Sequence, residues 1–264
     1  RVLGVDKKAG ALTCDFIQHD LTAPLMLDTQ FDVCIHLASS VGGILFNNQE
    51  SSSIVDYNNQ INSTVAQICE KAGCDTLTFF STINVYEDCL DFKHGPIEVA
   101  PKTTGYAMSK AAGEAFFESA IKNLTVIRPT NIFGKNQVKT HEKVGESHVI
   151  PDLMAKIQAS SQVEVFGDGS QVRNFVHVMD LVRFVSANLK LQGRHYFNLR
   201  SGITLKISEL VVELADFLKI KVDLTYLPEY MKFEKMKIED FDMALPRQYG
   251  WSPKIDDVKS GLEV

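Results

Sequence analysis

Tyr106 and Lys110 bracket the run Tyr106-Ala107-Met108-Ser109-Lys110, and on a helix that spacing puts a phenol and an ammonium on one face. A free tyrosine, with a pKa near 10, is a poor base at neutral pH. A neighbouring cation favours the tyrosinate, and each unit of displacement is worth about 1.4 kcal/mol. The pair is therefore suited to moving a proton at a substrate hydroxyl. Upstream, the run Phe79-Phe80-Ser81-Thr82-Ile83-Asn84-Val85-Tyr86 places a hydroxyl, that of Thr82, where an apolar strand ends. Ligands of open α/β sheets bind beyond that edge. A threonine there can bond a substrate hydroxyl and relay its proton to the tyrosine.

The elements that must hold these groups alternate between short apolar runs and helical patterns, as βαβ architecture requires. Val2–Val5 reads as a strand ending at Asp6, Phe16-Ile17 as a shorter one ending at His19-Asp20, and Val33–Leu37 as a buried strand. A helix is expected over Asp56–Lys71, closed by Gly73, then a strand over Leu77–Phe80, a helix over Ala107–Lys122 and a strand over Leu124–Ile127. Residues 134 to 148 are polar and read as a substrate-side loop, followed by a helix over Ile150–Ala159 with Pro151 in its first turn. Ser208 is expected to cap a helix carrying Leu210, Val211, Leu214, Phe217 and Leu218.

The composition is that of an ordinary globular protein: 264 residues, 45% hydrophobic and 23% charged, long enough for a large core. With 27 Lys plus Arg against 33 Asp plus Glu, the net charge of −6 argues against a nucleic-acid partner. No apolar run approaches the roughly 18 residues that span a bilayer, so no membrane partner is expected. Cys14, Cys34, Cys69, Cys74 and Cys89 are odd in number and hold no CxxC pair. They are read as ordinary small residues in a reduced, cytoplasmic setting, with neither a disulfide framework nor a metal site.

Further motifs surround the Tyr-x3-Lys pair: Ile35-His36-Leu37-Ala38, Asn58, Pro101, Arg128-Pro129-Thr130-Asn131-Ile132-Phe133-Gly134, Val165-Phe166-Gly167-Asp168-Gly169-Ser170-Gln171-Val172-Arg173, Phe175-Val176-His177-Val178 with Asp180-Leu181, and Gly250-Trp251-Ser252-Pro253. In this order, and along nearly the whole chain, they resemble the extended short-chain dehydrogenases/reductases, specifically the NAD-dependent nucleotide-sugar epimerases and dehydratases. The resemblance implies an α/β fold with a Rossmann-like doubly wound parallel sheet and a smaller C-terminal substrate-binding lobe. Residues 1–133 would form the dinucleotide-binding part, with elements around 165–198 interleaving, and 134–264 mainly the lobe.

The resemblance also implies roles. Thr82, Tyr106 and Lys110 would be the catalytic triad, with Tyr106 and Lys110 also touching the cofactor. Asp6 would bind the adenosine ribose, which disfavours a 2′-phosphate and makes NAD rather than NADP the cofactor, although Lys7 and Lys8 stand beside it. Asp20 and Leu21 would flank adenine, and Leu37 and Ala38 would wall the cofactor. Asn58, with Asn59 as an adjacent rival, would support the site from a neighbouring helix. Asn84, Asn131, Val149 and Arg173 would meet the substrate, Arg173 gripping its diphosphate through a planar fork; a surface ion pair is the alternative for Arg173. His177 reads as a structural histidine. A nucleotide-diphosphate sugar is the expected substrate, and a homodimer the expected assembly.

Ile83-Asn84 stand where the sugar 4,6-dehydratases carry Asp-Glu, so elimination lacks its acid and base. The Val41-Gly42-Gly43-Ile44 loop resembles GDP-fucose synthase and GDP-mannose 3,5-epimerase, but Asn84 replaces their cysteine. A 4-epimerase is the leading expectation and a nucleotide 4-keto-sugar reductase the runner-up. The chain starts at Arg1, and none of its 16 glycines form G-x-x-G-x-x-G. The first βα unit, roughly 30 to 40 residues, is therefore expected ahead of Arg1. A non-catalytic binding relative is the alternative from another class; the intact triad favours an enzyme.

Overall fold

The computed structural model describes residues 1–8, 13–43, 46–47, 51–86, 92–98, 101–102, 104–135, 137, 147–228 and 241–264. Strands β1 (Leu3–Asp6) and β2 (Asp15–Gln18) pair in parallel as a sheet of their own. Strand β3 (Cys34–His36) opens a second sheet, followed by helix α1 (Ser51–Ala72), β4 (Thr76–Phe80), helix α2 (Gly105–Ala120) and β5 (Asn123–Pro129). Strand β6 (Asn131–Phe133), helix α3 (Val149–Ala159), β7 (Gln162–Phe166), β8 (Val172–His177) and helix α4 (Val178–Ala187) come next. The chain then returns to the second sheet as β9 (Arg194–Leu199), giving an all-parallel order β3-β4-β5-β9. Strand β10 (Ile203–Lys206), helix α5 (Ile207–Leu218), β11 (Asp223–Leu227) and the short helices α6 (Ala244–Gln248) and α7 (Val258–Glu263) complete the chain.

Parallel strands buried on both faces read as continuous apolar runs, and every residue of β5 is buried. Leu77, Phe79, Leu124 and Val126 join the core under α1 and α2, whereas Ile127, Phe197 and Leu199 join one with Leu181, Phe184 and Trp251. The sheet is thus covered on both sides, the doubly wound α/β arrangement expected. A third core, with Phe133, Ile150, Val163, Phe175 and Leu210, lies among α3, α5, β7 and β8.

Several element ends lie one or two residues from the sequence reading, as at α2, which runs Gly105–Ala120 rather than Ala107–Lys122; two departures have an identifiable cause. Helix α1 begins at Ser51 rather than Asp56 because Ile54 is buried while Ser51–Ser53 carry no apolar signal; the Ser51 hydroxyl donates to the Asn47 carbonyl at 3.1 Å. Ser208 does not cap α5. Strand β10 runs straight into the helix, Lys206 takes the cap position, and its N–H donates to Glu209 Oε2 at 2.9 Å. The N–H of Ser208 is bonded instead to the Gly169 carbonyl at 3.1 Å. Gly73 does close α1, at φ 69°, with the Cys74 N–H returning to the Cys69 carbonyl at 2.9 Å.

Helix α2 is seated against α1 at its first residue. The Gly105 N–H donates to the Ser51 hydroxyl at 3.0 Å, and a Cβ on Gly105 would stand 2.1 Å from the Ser51 carbonyl oxygen. That neighbour is main chain and cannot rotate away. Gly105→Ala is expected to cost about 1–3 kcal/mol or more by overpacking, read as a lowered urea midpoint.

Candidate active site

Thr104 caps α2, its hydroxyl accepting from the Ala107 N–H at 3.2 Å, so the helix starts with Tyr106 in its first turn. Thr82 follows β4 and is buried; its hydroxyl accepts from the Asn84 N–H at 3.3 Å and lies near enough to the Tyr106 phenol to favour its ionised form. Lys110, also buried, donates from Nζ to the Phe80 carbonyl at 2.8 Å and lies 5.8 Å from the Tyr106 ring centre. The three residues singled out by type and spacing therefore meet at one sheet edge.

Without the nicotinamide charge that the tyrosinate reading joins to Lys110, burial governs the electrostatics of the pair. Burial pushes Tyr106 up to about 12, opposed by the Thr82 hydroxyl. Burial likewise brings Lys110 down to about 8, opposed by the Glu114 carboxylate. The ammonium is turned onto a backbone carbonyl, so desolvation dominates both groups.

Spacing alone did not single out the groups behind this edge. Glu114 stands one turn beyond Lys110, and its carboxylate takes a 2.5 Å bond from the Ser81 hydroxyl. Arg128, fully buried on β5, donates to both Glu114 oxygens at 2.9 and 2.6 Å. A carboxylate at the next i+4 step of the Tyr106–Lys110 stripe was the available signal. His36, the last residue of β3, bonds Asn62 Oδ1 at 3.0 Å and packs edge-on to Phe117. Burial first, and then the Lys110 charge, depress it to about 4. The unfolded histidine takes its proton below about 6.5, so stability should fall as pH drops from 6.5 to 4, by about 3 kcal/mol at the end. Chemical denaturation at pH 7 and pH 4.5 should show this in the native chain and lose the His36 share in His36→Gln.

The other sequence-derived residues divide into groups. Asp6 ends β1 and accepts from the Lys8 N–H at 2.9 Å. Asp20 is held below the usual carboxylate range by the Thr22 N–H, then by the Thr22 and Tyr57 hydroxyls, with Tyr57 Oη at 2.9 Å. Lys7 lies over the Tyr57 ring at 5.3 Å. Lys7, Lys8, Gln18, His19, Asp20 and Ala23 line an open cleft of about 720 Å³ at the ends of β1 and β2. Leu37 is exposed beyond β3, whereas Leu21 is packed into the core rather than presented to the cleft, and Ala38 is half-buried against that core. Asn58 is buried and Asn59 exposed. Asn58 accepts from the Ser40 N–H at 2.6 Å and donates to Ser109 Oγ at 2.8 Å, tying the loop after β3 to α2.

Asn84 is half-buried next to Thr82. Asn131 donates to the Asn174 carbonyl at 2.9 Å and pairs with Phe175, two residues beyond Arg173 on β8. Arg173 is half-buried, with Nη1 on the Val172 carbonyl at 3.1 Å. Val149 is the first residue of α3 and packs on the third core. His177 is buried, bonds the Gly261 carbonyl at 2.9 Å and caps α4 through the Met179 N–H, the structural role expected. Cys14, Cys34, Cys69 and Cys74 are free thiols; Cys89 and most of the polar segment after Phe133 lie outside the described residues. Among the described residues, no helix is long and apolar enough to cross a membrane.

A parallel α/β sheet whose C-terminal edge gathers a threonine, a tyrosine and a lysine on Tyr-x3-Lys spacing defines a protein of the short-chain dehydrogenase type. The chain belongs to the NAD dependent epimerase/dehydratase family, whose model matches residues 1–199. It is 30% identical over 179 residues to the dTDP-4-dehydro-6-deoxy-D-allose reductase of a Streptomyces species, covering 62% of this chain and 52% of that protein. The putative GDP-L-fucose synthase 2 of Arabidopsis thaliana is 29% identical over 247 residues, covering 85% of this chain and 71% of that protein. The chain thus spans about half the length of the Streptomyces relative and more of the plant one. The UDP-glucose 4-epimerase of Thermotoga maritima superposes with a TM-score of 0.75 at 20% identity, over 99% of this chain and 88% of that chain, a likeness of fold.

Proposed function

We propose that this chain transfers hydride between NAD and carbon four of the hexose in a nucleotide-diphosphate sugar, with Tyr106 carrying the proton. The observation behind this reading is the meeting of Thr82, Tyr106 and Lys110 at the edge where β4 ends. Bound NAD supplies hydride acceptance and return. Tyr106 takes the proton from, or gives it to, the sugar oxygen, and Thr82, beside the phenol, aligns that oxygen. Lys110 would hold the nicotinamide ribose, and Asn58 steadies the loop beside it.

Residues at the ends of β1 and β2 suit the adenosine half. Asp6 puts a carboxylate where ribose hydroxyls would be bonded and a 2′-phosphate repelled, and Asp20 would flank the adenine. Lys7, which would soften that repulsion, is engaged by the Tyr57 ring. We assign the sugar diphosphate to the β6–β8 side, with Asn131 and Arg173 as its contacts, Asn84 on the sugar and Val149 on the lining.

Ile83 is buried and Asn84 carries no acid or base, which leaves redox at a carbinol without elimination. In a 4-epimerase, the first reading, the hydride returns to the opposite face of the same carbon. Net reduction of a 4-keto sugar is the second reading. It is favoured by the reductase and synthase names of the sequence relatives and by a Tyr106 that is protonated at neutral pH, ready to donate. The test incubates the protein with NAD or NADH and a panel of UDP-, GDP- and dTDP-sugars and their 4-keto forms. NMR inversion at carbon four with no net cofactor change selects the epimerase, and stoichiometric NADH loss selects the reductase. No dinucleotide binding by calorimetry, with no turnover, refutes both.

A further inference from the structure

We propose that Glu114 positions the catalytic pair: clamped by Arg128 and bonded by Ser81, its buried carboxylate stands one helical turn beyond Lys110 as the fixed negative charge behind an ammonium that the Phe80 carbonyl holds at the end of β4. The inference rests on the reading of Tyr106 and Lys110 as the proton-transfer pair and adds a third residue of the same helix face. Residues 106, 110 and 114 recur every four positions, so the three side chains follow one stripe of α2.

That stripe is stitched to the strand end residue by residue. Lys110 Nζ donates to the carbonyl of Phe80 at 2.8 Å, and the hydroxyl of Ser81, the next residue, donates to Glu114 Oε1 at 2.5 Å. Thr82 follows immediately. Two successive turns of the helix are thereby bonded to two successive residues of the chain that delivers the catalytic threonine.

Glu114 has little freedom to turn elsewhere. It is 3% exposed, and the Arg128 that grips both its oxygens is fully buried. The remaining Arg128 donors are spent on Tyr86 Oη at 2.5 Å, the Gly95 carbonyl at 2.8 Å and the Lys93 carbonyl at 3.3 Å. The groups facing Lys110 are Tyr106 and Glu114 on its own helix and His36 from β3, with Arg128 on β5 behind Glu114. His36 is neutral above about pH 4, so Glu114 is the negative charge acting on the ammonium. An ion pair that only fastened α2 to β5 would have no need of Ser81, which directs one carboxylate oxygen at the reacting edge.

The test labels lysine at 13Cε in the full chain and follows the Lys110 titration by NMR without ligand. The native ammonium is expected to lose its proton near pH 8. In Glu114→Gln the titration should move down by about one unit or more, a tenfold change in the equilibrium. Because that variant leaves Arg128 buried without its partner, Glu114→Gln/Arg128→Met supplies a folded protein without either charge, and its Lys110 should move in the same direction. The alkaline limb of kcat in the reductive direction should shift with it, KM holding, an effect that a purely structural tie would not produce. A Lys110 titration unmoved in a folded variant lacking Glu114 overturns the proposal. If the native chain turns over no nucleotide sugar, the functional reading fails, and the ligand-free titration still decides the role of Glu114.

Discussion

Tyr106→Phe should lower kcat by about 10²–10⁴-fold, the range expected when a positioned proton-transfer group is removed, while far-ultraviolet circular dichroism and calorimetric dinucleotide binding stay close to native. The ring keeps its place at the start of α2, and only the phenol oxygen is lost. Thr82 retains the Asn84 N–H as a donor to its hydroxyl, so the cost to folding is that of one hydrogen bond, about 1 kcal/mol. The catalytic loss is far larger because nothing else at this edge can exchange a proton with the sugar oxygen at neutral pH: Thr82 is a neutral relay, and Lys110 is directed at the Phe80 carbonyl. With Tyr106 near 12, ionising it at pH 7 requires about 7 kcal/mol. The oxidative direction must recover most of that when ligands bring further positive charge to the edge, whereas the reductive direction starts with the proton in place. Measured separately, the two half-reactions should therefore both collapse in the variant, and near-native turnover in either removes Tyr106 from its role.

The spacing of Tyr106 and Lys110, and the strand-end position of Thr82, were legible because helix periodicity and the polarity of a parallel sheet fix where such groups point. Strands β4 and β5 were legible for a related reason: burial on both faces leaves short runs, Leu77–Phe80 and Leu124–Ile127, that are apolar but for one threonine each. The start of α1 was hidden, since Ser51–Ser53 are polar and carry no apolar period ahead of Ile54. The cap of α5 was misplaced at Ser208 because a serine before an apolar stripe is a local signal, and a strand running directly into the helix overrides it. The Ser81–Glu114–Arg128 chain could not be read at all from adjacent residues. Its partners are 33 and 14 positions apart and become neighbours only when α2 lies across β4 and β5. Leu21 shows the same limit, for the sequence places it near the cleft but not on which side of the chain it packs.

Arg128→Met should destabilise the protein by about 3–5 kcal/mol, the cost of stranding one member of a buried ion pair. Methionine preserves much of the length and apolar bulk but donates nothing. Glu114 would keep the Ser81 hydroxyl and lose both guanidinium bonds, and the Gly95 carbonyl would lose the donor it has in Arg128, whereas the Lys93 carbonyl keeps the Tyr86 hydroxyl at 2.7 Å. The guanidinium also sits 5.2 Å from the ring centres of Tyr86 and Tyr196, a sandwich that a thioether fills without the charge. Adding Glu114→Gln to Arg128→Met removes the stranded charge, so the double variant should be more stable than Arg128→Met alone. Such non-additivity marks groups that act as a unit. Urea denaturation of the two single variants and the double at pH 7 measures the cycle. A loss below about 1 kcal/mol for Arg128→Met would mean that the pair is solvated in solution, since only water could then replace the bonds that Glu114 gives up.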